Sequence, residues 1–236
     1  MIEPKGIMFN GVDLSPYLYA NLTKPILPEI QVNESDAGIL VGARHKSVKV
    51  SPLDIEVKVR LRAKRSTNIA DLRHILGSVL YVEEPAPLYL GDEPNRYYMA
   101  VLSGSSELDK LWYTGSTTLT FHCSDPVAYG AKHKQSVGAL NVGGNRPARP
   151  IITARPGSCS VFTVTKASTG EFVRLNVSCN SSSVIVINCE DRHCFLNNSL
   201  ADKYVNLASD YFDLLGHDKL TVSSGTAIVE WAERWM

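Results

Sequence analysis

The sequence lacks any apolar run that approaches the roughly 18–20 residues needed to cross a bilayer. Its first residues, Met-Ile-Glu-Pro-Lys-Gly, also lack the basic segment and following apolar segment of a secretory signal. Lys plus Arg and Asp plus Glu are equal at 24 each, and this absence of net charge disfavours nucleic-acid binding as the main role. Together these absences predict a protein that folds in a cytoplasm, has no contact with a membrane and associates readily with other proteins or with its own copies.

The sequence also lacks recognisable catalytic motifs. Its six histidines and many serines do not form a G-x-S-x-G or an H-E-x-x-H pattern. The pairs Glu83-Glu84 and Asp92-Glu93 are adjacent in sequence, and adjacent strand residues point to opposite faces of a sheet, so neither pair makes a natural acid/base couple. We therefore predict that the protein is not an enzyme and needs no cofactor, with a triad assembled from distant residues as the minor alternative.

Cysteine is scarce, and the five residues present are an odd number, so we expect free thiols in a reducing compartment. The best metal-binding candidates are Cys179, Cys189, His193 and Cys194. A structural zinc site usually needs two Cys pairs, or one Cys pair and a His pair, whereas this segment has a single Cys-x₄-Cys. Thiols buried in the core are the favoured interpretation, and we predict no metal.

Alternating hydrophobicity is the main signal in the N-terminal half. Asn10-Gly11 predicts a tight hairpin, and Ile55, Val57, Val59 and Leu61 alternate with charged residues as in a half-buried strand. A single helix is predicted over 67–80, capped by Thr67 or Asn68 and carrying one apolar stripe, with Gly77 weakening its last turn. Further strands are predicted at 87–90, 97–102 and 117–123.

The composition and the hydrophobic pattern of the sequence change near residue 130. Residues 126–149 have glycines and little apolar periodicity, which predicts a connector, with Gly143-Gly144 as a flexible hinge. Short strands with polar turns follow, at 161–165, 172–177, 184–188, 220–223 and 227–231. The predicted fold is therefore mainly β: an N-terminal β-rich domain with one helix (1–130) and a C-terminal β-sandwich domain (131–236).

Positive charge is concentrated in residues 44–65, where eight cations face two carboxylates, a local excess of six (8 − 2). The candidate interface residues are Arg44, Lys46, Lys49, Lys58, Arg60 and Arg62, with Lys64 and Arg65 completing the eight. On a half-buried strand these cations point away from the core, either to solvent or to a neighbouring subunit's carboxylates such as Glu83, Glu84, Asp92 or Glu93. Both interpretations stay open from the sequence.

Two tryptophans near the C-terminal end support an alternative function. If the last strand is regular, Trp231, Glu233 and Trp235 share one face, and the two rings would form a platform for a cell-wall saccharide. The opposing interpretation is that an aromatic-rich strand closes the core of the sandwich. A carbohydrate-binding module is therefore the second hypothesis.

Several segments, in their order and spacing, resemble the siphophage distal tail protein (Dit) family over nearly the whole chain. The N-terminal matches are the residues 8–15, the alternating strand after 42–44, the helix, the segment 91–98, and 115–121 with Cys123 and Asp125-Pro126. The C-terminal matches, at 184–188, 210–214 and 229–235, are looser. Residues 210–216 depart from the family pattern, which more often has a proline-glycine turn there.

This resemblance implies a structural hub in the virion, at the tail tip or baseplate of a long-tailed bacteriophage, assembled in the cytoplasm of the bacterial host. It implies a ring, expected to be hexameric, that is built from N-terminal domains around a channel through which the genome passes. It further implies a galectin-like C-terminal sandwich at the periphery. The implied partners are other copies of the chain, the tail-tube protein, a tail-associated lysin or fibre protein, and receptor-binding or other baseplate proteins.

Overall fold

A computed structural model of the chain describes residues 6–36, 38, 42–62, 69–104 and 116–236. Its internal contacts divide the chain into two compact units, residues 1–128 with Met236 and residues 129–235. Both units consist mainly of antiparallel strands, which confirms the predicted mainly β fold class. That residues 1–130 and 131–236 each fold as an independent domain stays a prediction. No helix among the described residues combines the length and the apolar character needed to span a bilayer.

The N-terminal unit contains nine strands and one helix in its described part. They are β1 (Ile7–Phe9), β2 (Val12–Asp13), β3 (Leu18–Thr23), β4 (Ile30–Asp36), β5 (Ala43–Val50), β6 (Leu53–Leu61), α1 (Ile69–Leu80), β7 (Ala86–Leu90), β8 (Glu93–Ser103) and β9 (Ser116–Cys123). Antiparallel pairing runs β2-β1-β7-β8-β9-β6-β3, whereas β4 and β5 pair with each other in a separate two-stranded sheet.

Two sequence predictions for this unit are confirmed directly. Asn10 and Gly11 both have positive φ, as a type I′ turn requires, and the turn joins β1 to β2 through the pair Phe9 and Val12. Along β6, Leu53, Ile55, Val57 and Val59 are buried, and the residues between them are exposed. The alternation arises because successive side chains of a strand point to opposite faces.

The helix α1 begins at Ile69, the first described residue after 62, so the predicted caps Thr67 and Asn68 lie outside the described residues. Leu72, Leu76, Val79 and Leu80 are buried, as the apolar stripe predicts. Ile75 is 40% exposed and belongs to the edge of the stripe. The helix continues through Gly77, so its predicted last turn is present.

The C-terminal unit follows with ten strands. They are β10 (Ala128–Ser136), β11 (Ala139–Val142), β12 (Ile151–Arg155), β13 (Phe162–Lys166), β14 (Phe172–Leu175), β15 (Ile185–Asn188), β16 (His193–Leu196), β17 (Ser199–Leu200), β18 (Gly216–Val222) and β19 (Thr226–Trp235), with a short 3₁₀ helix at Asp202–Tyr204. One sheet has the order β17-β16-β15-β12-β19-β10 and the other has the order β11-β18-β13-β14.

These two sheets share one hydrophobic core. Ile152, Ile187 and Val229 from the first sheet and Phe162 and Val173 from the second belong to a single cluster of buried side chains. Two sheets that face a common core form a β-sandwich, as the sequence predicts for this part of the chain. The galectin-like character of the sandwich stays a prediction.

The prediction of a connector over 126–149 is wrong, because β10 and β11 occupy most of it. The strand β10 has little apolar alternation, and cross-strand pairs from its charged residues to β19, including Lys134 with Glu230 at 2.5 Å, support it instead. Gly143-Gly144 is not a hinge either. Gly144 has a φ of +98° and lies so close to the backbone of Arg234 that a Cβ atom there would overlap it.

Candidate interaction surfaces

The hairpin β4–β5, here called the arm, carries the largest set of exposed apolar side chains among the described paired strands of the N-terminal unit. The pairs Ile30 with Val50 and Val32 with Val48 lie directly opposite each other. Residues that are opposite in an antiparallel pair project from the same face, so these four form one apolar face. Ile30, Val32 and Val48 are 46%, 54% and 53% exposed. The arm therefore has an apolar face that is exposed to solvent and is not covered by the described residues of its own chain.

The second face of the arm is polar. It carries the pairs Gln31 with Lys49 and Asn33 with Ser47, and the Asn33 amide donates a hydrogen bond to Ser47 Oγ at 3.1 Å. The pairing register shifts at Asn33/Glu34, which leaves Lys46 as the extra residue of a β-bulge. The arm is thus an amphipathic ribbon, a structure that is marginally stable alone and gains stability when its apolar face is covered.

The sequence analysis missed the apolar face of this arm. The signal was present, because apolar and polar residues alternate in Ile30-Gln31-Val32-Asn33 and in Val48-Lys49-Val50. Alternation predicts a strand with one apolar face, but it does not distinguish a face that covers the core from one that is left for a partner.

The candidate basic residues lie on two different strands, so the prediction of one half-buried strand is wrong for half of them. Arg44, Lys46 and Lys49 are exposed on β5 of the arm, which is exposed along nearly its whole length. Lys58 and Arg60 are exposed on the outer face of β6. The reason is the break at Ser51-Pro52, where the chain leaves one sheet and enters another. Lys64 and Arg65 lie outside the described residues.

Arg62 differs from the other basic candidates because it contacts its own unit. Its Nη1 donates a hydrogen bond to the carbonyl oxygen of Ser15 at 3.1 Å, and its guanidinium lies 4.3 Å from the centre of the Tyr19 ring. These contacts fasten the end of β6 to its own unit, and a role of Arg62 in a subunit interface stays a prediction.

Among the candidate acidic partners, Glu93 already has a cation of the same chain beside it. Lys24 Nζ lies 2.7 Å from Glu93 Oε1 and also donates a hydrogen bond to Tyr98 Oη at 2.8 Å. Glu83, Glu84 and Asp92 are exposed. The carboxylates that remain available to a neighbouring copy are therefore these three, and not Glu93.

This Lys24 cluster predicts that alkaline pH destabilises the N-terminal unit. Burial lowers the pKa of Lys24, but its hydrogen bonds to Glu93 and Tyr98 outweigh burial and place that pKa above the ordinary 10.5. Burial raises the pKa of Tyr98 above the ordinary 10.0, against the opposing effect of Lys24. Both protonated forms therefore favour the folded state, so their contribution is complete below these ordinary values and is lost as pH rises through the higher folded-state values.

Urea denaturation between pH 8 and pH 11 tests this expectation. We expect the free energy of unfolding to fall above about pH 10. The fall should be smaller in Tyr98→Phe, because the hydroxyl that titrates and that binds Lys24 is gone. Replacement of the exposed Tyr81 by phenylalanine is the matched control. Equal slopes in the two variants would contradict the assigned cause.

The predicted saccharide platform is absent. Trp231 is 4% exposed and packs in the core of the C-terminal unit, with the His133 ring stacked on it at 5.3 Å. The burial alternation of β19 holds at Ala227, Val229 and Trp231 and then shifts, so that Arg234 is the next buried residue. Trp235 lies beside Glu233 instead, to which its Nε1 donates a hydrogen bond at 3.2 Å. Because the Trp231 ring is buried in the core, it cannot form part of a surface platform for a saccharide.

The three cysteines among the metal candidates, Cys179, Cys189 and Cys194, belong to the core of the C-terminal unit, whereas His193 is exposed. Burial raises the pKa of Cys189 to about 12 and that of Cys194 to about 11, so both are protonated at neutral pH. Cys194 Sγ lies 3.3 Å from Tyr211 Oη, and His193 Nδ1 lies 2.6 Å from Asp202 Oδ2. In the described part of the chain, no three His, Cys, Asp or Glu side chains converge as metal ligands.

The C-terminal unit also has a polar cavity of about 320 Å³. Its charged lining is Arg149, Lys166, Arg192, Glu171, Glu190 and Asp213. Several of these charges face an opposite one: Lys166 Nζ is 3.4 Å from Glu171 Oε2, and Arg149 Nη1 is 3.8 Å from Glu190 Oε1. Such pairing holds the charged side chains in place, and burial raises the pKa of Cys189, the thiol in the lining, to about 12, so that it stays protonated.

Comparison with known proteins finds similarity to phage tail components in both units. A family model described as a phage tail protein RIFT-related domain matches residues 9–123, and one described as a siphovirus-type tail component, C-terminal domain, matches residues 143–235. The distal tail protein of Bacillus phage SPP1 is 23% identical over 222 residues, covering 88% of this chain and 86% of the relative.

Solved structures agree on the fold. The crystal structure of SPP1 Dit, titled a paradigm of hub adsorption apparatus in phages that infect Gram-positive bacteria, matches with a TM-score of 0.79 and 19% identity, covering 98% of this chain and 99% of that one. A chain of the phage P2 baseplate in its activated conformation matches with a TM-score of 0.55 and 8% identity, covering 91% and 90%.

The two family models match separate halves of the chain, and the curated relative spans both halves. The same order of a β-rich N-terminal unit and a C-terminal sandwich is present in the described structure. This chain therefore belongs to the siphophage distal tail protein family, whose members are structural tail components and not enzymes.

Proposed function

We propose that this chain is the hub of a siphophage tail tip, where identical copies close into a ring that joins the tail tube to the tail-tip proteins. The observation that carries the proposal is the arm β4–β5, with its apolar face of Ile30, Val32, Val48 and Val50. The SPP1 relative, whose structure is titled a hub adsorption apparatus, supports the same role.

The arm suits contact with another copy because its two faces differ. Covering the apolar face removes Ile30, Val32 and Val48 from water, at about 25 cal/mol per Å² of apolar surface. In this arrangement the arm of one copy packs on a different part of the neighbouring copy. Each subunit therefore contributes one arm and one surface that binds the arm of another copy. Such head-to-tail contacts end in a closed ring when the rotation between copies closes. The family resemblance gives six copies as the expected number.

The basic residues have a second role in this assembly. Arg44, Lys46 and Lys49 project from the arm, and Lys58 and Arg60 project from the outer face of β6. Carboxylates of a neighbour, with Glu83 and Glu84 as candidates, would meet these cations. Charge pairs at an interface fix its register and suppress wrong pairings more than they add affinity.

The C-terminal sandwich would hold the other tail-tip components. Its partners in this proposal are the tail-associated lysin or fibre protein and receptor-binding or other baseplate proteins, while the ring contacts the tail tube and leaves a channel for the genome. The channel needs no specific nucleic-acid binding, in agreement with the zero net charge. Assembly would take place in the host cytoplasm, and the protein would act in the virion.

Light scattering coupled to gel filtration tests the role of the arm. The wild-type protein should elute as one discrete closed oligomer with the mass of a hexamer. Val32→Glu places a carboxylate in the apolar face and should raise the concentration needed for assembly at least about tenfold, or about 1.4 kcal/mol. Gln31→Glu introduces the same charge at the adjacent residue on the polar face and is the matched control.

Three outcomes would overturn the proposal. One is a wild-type protein that stays monomeric at every concentration. Another is an open series of growing filaments, because the contact would then not close. The third is equal assembly of Val32→Glu and Gln31→Glu, which would move the interface away from the arm. Circular dichroism of both variants verifies that they are folded.

A further inference from the structure

Cys159 and Cys179 stand directly opposite each other in the C-terminal unit, outside the named strands. They form an isolated antiparallel bridge in which each residue donates its backbone N–H to the carbonyl oxygen of the other, at 3.2 Å and 2.7 Å. Residues that exchange both hydrogen bonds have Cα atoms about 5.5 Å apart, which is within the range that a disulfide spans. Both side chains project from the same face of the pair. The backbone thus already holds two thiols side by side.

We infer that Cys159 and Cys179 are a redox-sensitive pair that closes to a disulfide in the folded protein when a small-molecule disulfide such as oxidised glutathione is present. Cys159 is half-buried and Cys179 is 7% exposed, so Cys159 is the thiol that solvent reaches more readily. The two thiols are also electrostatically coupled: burial first, and then the neighbouring Cys159, raises the pKa of Cys179.

The reaction proceeds in two balanced exchange steps. The Cys159 thiolate attacks one sulfur of the small disulfide, forming a mixed disulfide and releasing one thiolate. The Cys179 thiol then loses its proton to solvent and attacks the Cys159 sulfur, forming the protein disulfide and releasing the second thiol. The protein pair loses two electrons and two protons, and the small disulfide gains them as two thiols.

The other three cysteines are poor candidates for the same reaction. Burial raises the pKa of Cys123 and Cys189 to about 12, which suppresses the reactive thiolate. Cys194 is fully buried and its sulfur contacts the Tyr211 hydroxyl. Cys159 therefore differs from them in accessibility, and the pair at 159 and 179 differs from them in its direct cross-strand pairing.

The bond would tie together the two ends of the segment that contains β13 and β14. A cross-link restricts the unfolded chain and so stabilises the folded state, provided that the native geometry accommodates it. Under the proposed function, on which this consequence rests, the protein would be assembled in a reducing cytoplasm and would then work outside it, where disulfides persist. Closure after release would strengthen the sandwich without changing its assembly.

Peptide mapping of the full chain tests the inference independently of ring formation. The reduced protein is incubated with oxidised glutathione, alkylated and digested without reductant. We expect one cross-linked peptide pair, joining Cys159 to Cys179, and a fall in free thiols from five to three. The midpoint of thermal unfolding should rise on the order of 10 °C and return to its initial value after reduction.

Cysteine variants distinguish oxidation of this pair from oxidation of the other cysteines. Cys159→Ser and Cys179→Ser should each lose the cross-link, whereas Cys189→Ser should retain it and serves as the matched control. Five free thiols after oxidation, a cross-link between any other pair of cysteines, or a lower unfolding midpoint in the oxidised protein would overturn the inference. None of these readouts depends on whether the protein forms a ring.

Discussion

Replacement of Trp231 by alanine is expected to lower the free energy of unfolding of the C-terminal unit by about 3–5 kcal/mol. The side chain is almost fully buried, belongs to the shared core of the sandwich and stacks against His133. Removing it leaves a large cavity between two sheets whose backbones are fixed by pairing, so the surrounding side chains cannot collapse to fill it. Urea denaturation followed by circular dichroism measures the loss.

Two further variants make this prediction specific. Trp231 Nε1 is a buried donor with no hydrogen-bond partner among the described residues, so Trp231→Phe removes an unsatisfied N–H together with part of the ring. The two effects oppose each other, and Trp231→Phe should stay within about 1 kcal/mol of the wild type. Trp235→Ala, on the more exposed residue, should also cost less than Trp231→Ala. A folded Trp231→Ala protein of wild-type stability would restore the platform hypothesis.

Replacement of Phe121 by alanine is expected to destabilise the N-terminal unit by a similar amount, about 3–5 kcal/mol. Phe121 on β9 is completely buried, and its ring centre lies 5.1 Å from that of Phe9 on β1 with the planes at 57°. A tilted aromatic pair of this kind contributes beyond its buried area. Because the two residues come from strands far apart in the chain, the variant weakens the packing that joins β1 to β9.

Thr118→Ala is the matched control for this variant. Thr118 lies on the same strand β9 but on its exposed face, so its loss should change the free energy of unfolding by no more than about 0.5 kcal/mol. Thermal unfolding of the two variants gives the comparison. Similar midpoints for Phe121→Ala and Thr118→Ala would mean that β9 does not present these opposite faces, contrary to the described register with β6.

Much of the N-terminal unit was predictable because its signals are local. The Asn10-Gly11 turn, the alternation along β6 and the apolar stripe of α1 each depend on residues a few positions apart. The family resemblance also depended on segments in sequence order, and the family models bear it out. Two of the failures, at β10 and at the Gly143-Gly144 turn, arise because these segments are stabilised by a strand about a hundred residues away, as in the His133 contact with Glu233 at 2.8 Å.

The sequence by itself determined the Asn10-Gly11 turn, the alternating strand β6 and the position of the helix α1, and it contains no recognisable catalytic motif. Only the tertiary structure decided which faces are buried: Trp231 points into the core, the arm keeps Val32 and Val48 in water, and Cys159 stands opposite Cys179. The physical reason is that periodicity describes how a strand's two faces differ, whereas burial depends on which distant strand pairs with it. The proline of the break at Ser51-Pro52 marks the start of a strand in the sequence, but the local pattern does not show that the strands on its two sides join different sheets.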